Sequence, residues 1–238
     1  MTSEEEIEKA LEVYDEVGAE TSYRPICLVE GNNKFFYQQI EELYSYDVHN
    51  GGSCINIIKK IEEEGAKNTI GIIDGDYRLG ENKFQNIVII DYYSIENISL
   101  ERIPELGIIV EELKDKINDP EIGIAKLRSH NLKVKFFPQE KENLEFNLIL
   151  DSQYNIPERI KYVEDNIQKL GSLLKYKNLK VVVDGAIKYL KMKQGIKIKY
   201  ITDLHKYFDN RSIEYILNSK EYKNFISINR SIKNKNKE

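Results

Sequence analysis

The 238-residue chain contains no tryptophan, two cysteines, three histidines and five prolines. Two cysteines, Cys27 and Cys54, are too few for a disulfide framework or a four-cysteine zinc site, which points to a reducing cytoplasm. His49, His130 and His205 lack zinc-ligand spacing. No run approaches the roughly 18–20 apolar residues of a membrane span, and the acidic start is unlike the basic-then-apolar start of a signal peptide. Neither membrane insertion nor export is therefore expected. What is present is 41% hydrophobic residues with 16 Tyr, enough for a packed core, so wholesale disorder is excluded.

The net charge of −5 conceals a division. Residues 1–120 hold 26 acidic and 11 basic side chains, while residues 121–238 hold 14 and 24. Acids gathered for a metal beside lysines gathered for a polyanion would give this pattern; so would ordinary drift in surface charge.

Ser3 with Glu6 forms a capping-box signature, predicting a helix over 4–17. Pro25 to Val29 reads as a strand closed by Glu30-Gly31, and 34–43 has apolar residues at helical spacing. Residues 44–49 predict a second strand, Gly51-Gly52-Ser53 a turn and cap, and 55–64 an amphipathic helix. Strands at 69–73 and 86–90 end in Asp74-Gly75-Asp76 and Asp91, and a helix begins near Ser94-Ile95-Glu96. Continuously apolar strands alternating with helices predict an α/β fold, a mostly parallel sheet flanked by helices. Beyond Pro120 the pattern predicts a strand at 133–137 and helices at 157–170, 178–192, 202–208 and 212–227, with a frayed tail from Ser231. The expected segments are a helix within 1–20, an α/β domain over 21–120, to which the resemblance given below assigns catalysis, and a mainly helical basic region over 121–238.

Ligands of open parallel sheets bind at the carboxyl ends of the strands, where Glu30, Asp74, Asp76 and Asp91 fall, with Glu96 close behind. Asp74 and Asp76, two apart, can project to one side, outlining a hard-cation site suited to Mg²⁺, with Mn²⁺ as its substitute. Turn capping is the structural alternative for each acid. Lys34 and Arg78 flank the cluster and could meet a phosphate or form ion pairs. The Gly51-Gly52-Ser53 turn could face a phosphate or simply start a helix. Cys27, inside an apolar strand, reads as a small core residue. Lys175, Lys177, Lys180, Lys188, Lys191, Lys193, Lys197 and Lys199, interleaved with Tyr176, Tyr189 and Tyr200, could follow a phosphate backbone or form a solvated face.

Val29-Glu30-Gly31, Ile72-Ile73-Asp74-Gly75-Asp76-Tyr77-Arg78 and Asp91-Tyr92-Tyr93-Ser94-Ile95-Glu96-Asn97 together resemble the toprim domain of topoisomerases, primases and overcoming-lysogenization-defect nucleases. The combination resembles the DUF4435 family more closely; that family includes toprim effector nucleases of PARIS-type anti-phage defence systems. The resemblance covers about residues 24–100. It implies a toprim-like (Rossmannoid) fold, with Glu30 as acid/base or metal ligand, Asp74 and Asp76 as metal ligands and Glu96 as an accessory acid. One position departs from the family: an acid often stands three residues after the glutamate, where this chain has Asn33. By the same resemblance the chain would be a homodimeric Mg²⁺-dependent endonuclease cleaving RNA, tRNA in particular, under control of a partner ATPase. Lys188 and Lys191, from the basic stretch, are expected among the substrate-binding groups. The competing expectation is a toprim-like module that binds nucleic acid or protein without catalysis. A haloacid-dehalogenase-type phosphatase fails because Arg78 stands where that chemistry wants Thr or Val.

Overall fold

The computed structural model of the protein describes residues 24–63, 68–77, 84–136, 144–194 and 212–235. The helices expected at 4–17 and 202–208, and Arg78, Lys197, Lys199, Tyr200 and His205, lie outside the described residues. The fold is α/β and divides into two compact units. One comprises the described residues of 24–74, 84–91 and 212–235; the other comprises 75–77, 92–136 and 144–194.

The first unit is built on a parallel four-stranded sheet in the order β2-β1-β3-β4. Its strands are β1 (Ile26–Val29), β2 (Asp47–Asn50), β3 (Thr69–Ile73) and β4 (Ile87–Ile89). Ile26 pairs with Asp47 and Thr69, which aligns the carboxyl ends of the three neighbouring strands. Every residue of β1 and β3 is buried, as unbroken apolar runs require of strands covered on both faces. Helix α1 (Lys34–Tyr37) follows β1, and α2 (Cys54–Ile58) follows β2 and continues into a π-turn over Lys59–Glu63. Ile57 and Ile61 of this segment pack with Ile26, Leu28, Ile73 and Ile87.

The helix expected over 34–43 is instead two short elements, Lys34–Tyr37 and Glu41–Leu43, preceded by a turn at Gly31–Asn33. Between the two elements, Ile40 takes an extended conformation (φ −88°, ψ 122°) that buries its side chain. The segment 212–235 belongs to this unit too. Glu42 accepts from the Ser212 hydroxyl at 2.9 Å and the Ile213 N–H at 3.1 Å, and the Asp91 N–H donates to the Ile216 carbonyl at 2.8 Å. The tail expected to fray from Ser231 is helical as far as Lys235, because Phe225, Ile228 and Ile232 give the long final helix a continuous buried stripe.

The second unit is mainly helical. It holds α3 (Ile95–Arg102), α4 (Gly107–Asn118), α5 (Gly123–Ser129), α6 (Pro157–Asn166), α7 (Leu170–Tyr176) and α8 (Lys180–Gln194), with an antiparallel hairpin of β5 (His130–Lys135) and β6 (Asn147–Gln153). The final helix of the first unit, Ser219–Lys235, is α9. The second core includes Leu106, Leu113, Leu127, Leu148, Val163 and Val183. The segment 92–118, read from sequence as part of the sheet domain, is grouped with this unit, so the compact units differ from the segments 21–120 and 121–238. Among the described residues, no helix is long and apolar enough to cross a membrane.

Candidate functional site at the carboxyl end of the sheet

The turns leaving β1 and β2 are bound to each other. The Gly51 N–H donates to the Val29 carbonyl at 2.8 Å, and the Gly31 N–H donates to the Gly52 carbonyl at 2.9 Å. Gly31 turns the chain with φ 48°, in the left-handed region where a side chain is disfavoured. The Asn50 carboxamide oxygen accepts the Gly52 N–H at 2.8 Å, and Ser53 caps α2 by accepting the Asn56 N–H at 3.3 Å. The Gly51-Gly52-Ser53 element thus serves as turn and helix start, as its sequence allowed.

This bracing fixes Glu30 at the end of β1. Its backbone is extended (φ −68°, ψ 130°) and its side chain makes no cap to the turn that follows. Instead Oε1 accepts the main-chain N–H of Asp74 at 2.9 Å. Asp74 ends the adjacent strand β3 and is 3% exposed, so its carboxylate is held almost out of solvent. Asn33 aims its amide Nδ2 at Asp74 Oδ1 at 3.4 Å, so a hydrogen-bond donor stands beside that carboxylate. Cys54, the first residue of α2, brings its sulfur within 4.8 Å of a Glu30 carboxylate oxygen. Sequence reading gave Cys54 no role; the signal was its place directly after the Ser53 cap, at the start of the helix that follows β2, the strand adjoining β1.

Glu30 and Asp74 meet through the Asp74 main-chain N–H, and the other sequence-derived candidates have their own settings. Asp76 and Glu96 fall in the second unit. Asp76 adopts φ 46° and its N–H donates to the Tyr93 carbonyl at 2.9 Å. Glu96 lies in the first turn of α3, buried, with Oε2 lacking a hydrogen-bond partner among the described residues. Asn97 beside it is locked in place: its carboxamide oxygen accepts from Ser94 Oγ at 3.0 Å, and its Nδ2 donates to the carbonyls of Leu174 at 2.6 Å and Lys177 at 2.8 Å. Lys34 starts α1, with its ammonium 5.5 Å from the Phe35 ring centroid. Asp91 follows β4, in the first unit.

The lysine-rich stretch has several distinct environments. Lys188 pairs with Asp184 at 2.5 Å on an exposed face of α8, and Lys191 lies one turn further along the same helix. Lys193 donates to the Leu144 carbonyl at 3.0 Å, and Lys175 stands 4.9 Å from the Tyr92 ring centroid. Tyr189 is buried and packs edge-on against Phe146, so it presents no face to a nucleobase.

Lys177 is completely buried. Its Nζ donates to the carbonyls of Arg128 at 2.9 Å and His130 at 2.5 Å and to the Tyr154 hydroxyl at 2.7 Å. Burial, and secondarily the Arg159 charge, pushes its pKa down to about 7. Burial raises the Tyr154 phenol, and the same effect raises the Cys27 thiol, whose zero exposure fits the core role read from sequence.

Glu30 and Asp74, which meet through the Asp74 main-chain N–H, carry carboxylate oxygens of the kind Mg²⁺ takes, so their donor chemistry fits a hard divalent cation. The sulfur of Cys54 is a softer donor at the edge of that set. Comparison with protein-family models, with curated proteins and with solved structures found no match.

Proposed function

We propose that the protein is a metal-dependent endonuclease with a toprim-like site, in which Glu30, Asp74 and Asp76 serve a phosphodiester hydrolysis. The observation that carries this reading is the meeting of Glu30 and Asp74 at the carboxyl ends of adjacent parallel strands, the place where open α/β sheets bind their ligands. A divalent cation held by these carboxylates, Mg²⁺ or Mn²⁺, would polarise the phosphodiester and lower the pKa of a bound water. Glu30 is the group to take the proton of the attacking water, oriented by its bond from the Asp74 N–H. Asp74 and Asp76 hold negative charge where the cation must sit, and Glu96 is the accessory acid. Lys34 and Arg78, flanking the acids in sequence, and Lys188 and Lys191 on α8 are the groups to meet substrate phosphates.

The family resemblance in the three motifs supports the finer identification. On that basis the substrate is RNA, with tRNA first among candidates, and the chain acts in the cytoplasm as a homodimeric toxic effector of anti-phage defence. A partner ATPase restrains it until release.

The test is cleavage of end-labelled tRNA, single-stranded DNA and duplex DNA in Mg²⁺, Mn²⁺ or EDTA, beside Glu30→Ala and Asp74→Asn. Metal-dependent cutting that both substitutions abolish supports the reading; equal cutting by Glu30→Ala overturns it. The second reading, a binding module without catalysis, draws support from the internal hydrogen bonds made by Asp74, whose N–H meets Glu30 and whose carboxylate meets Asn33. Metal-independent binding of RNA or protein that survives Asp74→Ala and Asp76→Ala would favour it.

A further inference from the structure

Asp76 has φ 46°, and it shares a positive φ with Asn68 alone among the described non-glycine residues. Strain of this kind persists where the surroundings over-determine the backbone. Here they do so from both sides. Before it, the Gly75 N–H donates to the Tyr92 carbonyl at 3.1 Å, and the Asp76 N–H itself donates to Tyr93 at 2.9 Å. After it, the Tyr77 ring meets Tyr93, Tyr154 and Tyr162 edge-on, with centroids 4.8, 5.7 and 5.4 Å away. The Tyr77 hydroxyl accepts the Asn178 N–H at 3.1 Å and lies 2.5 Å from the Tyr154 hydroxyl. Tyr154 in turn receives the buried Lys177 ammonium.

Packing alone would be met more simply by Phe and Leu, because burying an amine and two phenols carries desolvation costs that apolar side chains avoid. The hydroxyl–amine chain gives directional bonds instead, and these fix Tyr77 in rotation as well as in place. The geometry points to a positioning role for Tyr77: the Tyr77–Tyr154–Lys177 relay holds the backbone at Asp76, and thereby sets where the Asp76 carboxylate stands for a divalent cation. This rests on the reading of Asp76 as a metal ligand. Tyr77 is a positioning residue, since it acts through its neighbour.

The experiment is a Mn²⁺ titration of the intact chain, read by the electron paramagnetic resonance of free Mn²⁺. It compares wild type, Tyr77→Leu, Tyr77→Phe, Asp74→Asn and Leu190→Ala, the last a buried residue of the same unit that serves as a packing control. Leu190→Ala lowers Tm and leaves Mn²⁺ affinity unchanged. Tyr77→Leu weakens Mn²⁺ binding by about tenfold, the lower end of losses seen when groups supporting metal ligands are removed. Tyr77→Phe, which keeps the ring, weakens it by less. Mn²⁺ binding by Tyr77→Leu as tight as by Leu190→Ala, at a matched loss of Tm, overturns the relay. Should Tyr77→Leu not fold, wild-type affinity in Tyr77→Phe overturns it equally. A wild type that binds no Mn²⁺, or binds it no better than Asp74→Asn, overturns the metal reading itself and the inference with it.

Discussion

The main-chain N–H of Asp74 donates to Oε1 of Glu30 at 2.9 Å, joining residues 44 apart in sequence at the ends of neighbouring strands. One acid thus positions the backbone of the other. Glu30→Ala removes the acceptor and leaves a part-buried N–H without its partner, a loss of about 1–3 kcal/mol. Glu30→Gln keeps a carbonyl oxygen in reach and stays within about 1 kcal/mol of wild type. Urea denaturation of the two variants measures the difference, and equal stability would show that the bond has no weight. If the proposed chemistry holds, both variants lose cleavage, because neither carries a carboxylate at that position.

How much of this was legible in sequence follows from how local each feature is. The strands β1 and β3 read out because burial on both faces demands unbroken apolar runs, and the acids that end them fall where such runs stop. The break at Ile40 was hidden, since its side chain fits a helical stripe equally well and only the core decides that it turns inward. Strand β6 was missed because its sequence, Asn-Leu-Ile-Leu-Asp-Ser-Gln, mixes polar and apolar residues in a hairpin that buries little. The division at 120 followed the change in charge, whereas packing returns α9 to the sheet unit through Phe225, Ile228 and Ile232. Tyr77 meets Tyr154 and Asn178 across 77 and 101 residues, and no short-range pattern encodes such a contact.

Gly71 lies in the middle of β3 against the helix that follows β2. A Cβ there would stand 2.8 Å from Ile57 Cγ2 and from Ile61 Cδ1, and 3.2 Å from Ile87 Cγ1. Gly71→Ala therefore overpacks the first core and destabilises by about 1–3 kcal/mol. Gly107, which opens α4 in helical conformation, has nothing among the described residues within 4 Å of a Cβ, so Gly107→Ala stabilises by about 0.5–1 kcal/mol through helix propensity. Chemical denaturation of the pair reads both signs. A neutral Gly71→Ala would mean that Ile57 and Ile61 move aside without strain.

Asp76 bears its left-handed conformation without the freedom of glycine. Asp76→Gly and Asp76→Ala both remove the carboxylate, but only alanine retains a Cβ to be strained. Asp76→Gly is accordingly more stable than Asp76→Ala by about 1 kcal/mol. The midpoint of urea unfolding distinguishes them, and the reverse order would show that the loop relaxes to negative φ once the acid is gone.

Lys177 makes stability depend on pH in a definite direction. Its pKa is pushed down to about 7 in the fold, against an ordinary value of 10.5 when exposed. Below about pH 7 both states hold the proton, and the fold bears the full penalty of a buried ammonium. Between these values the unfolded chain keeps a proton that the fold releases, so stability rises with pH. Above the exposed value both states are neutral and the penalty is gone. Lys177→Met removes the dependence, while leaving the Arg128 and His130 carbonyls without their donor. The informative quantity is wild-type stability minus variant stability, in which the rising thiol of Cys27 cancels because both chains carry it. That difference is level near pH 6 and grows from about pH 7 to pH 9. A difference unchanged over this range in urea denaturation would mean that the three acceptors around Nζ hold the ammonium charged despite its burial.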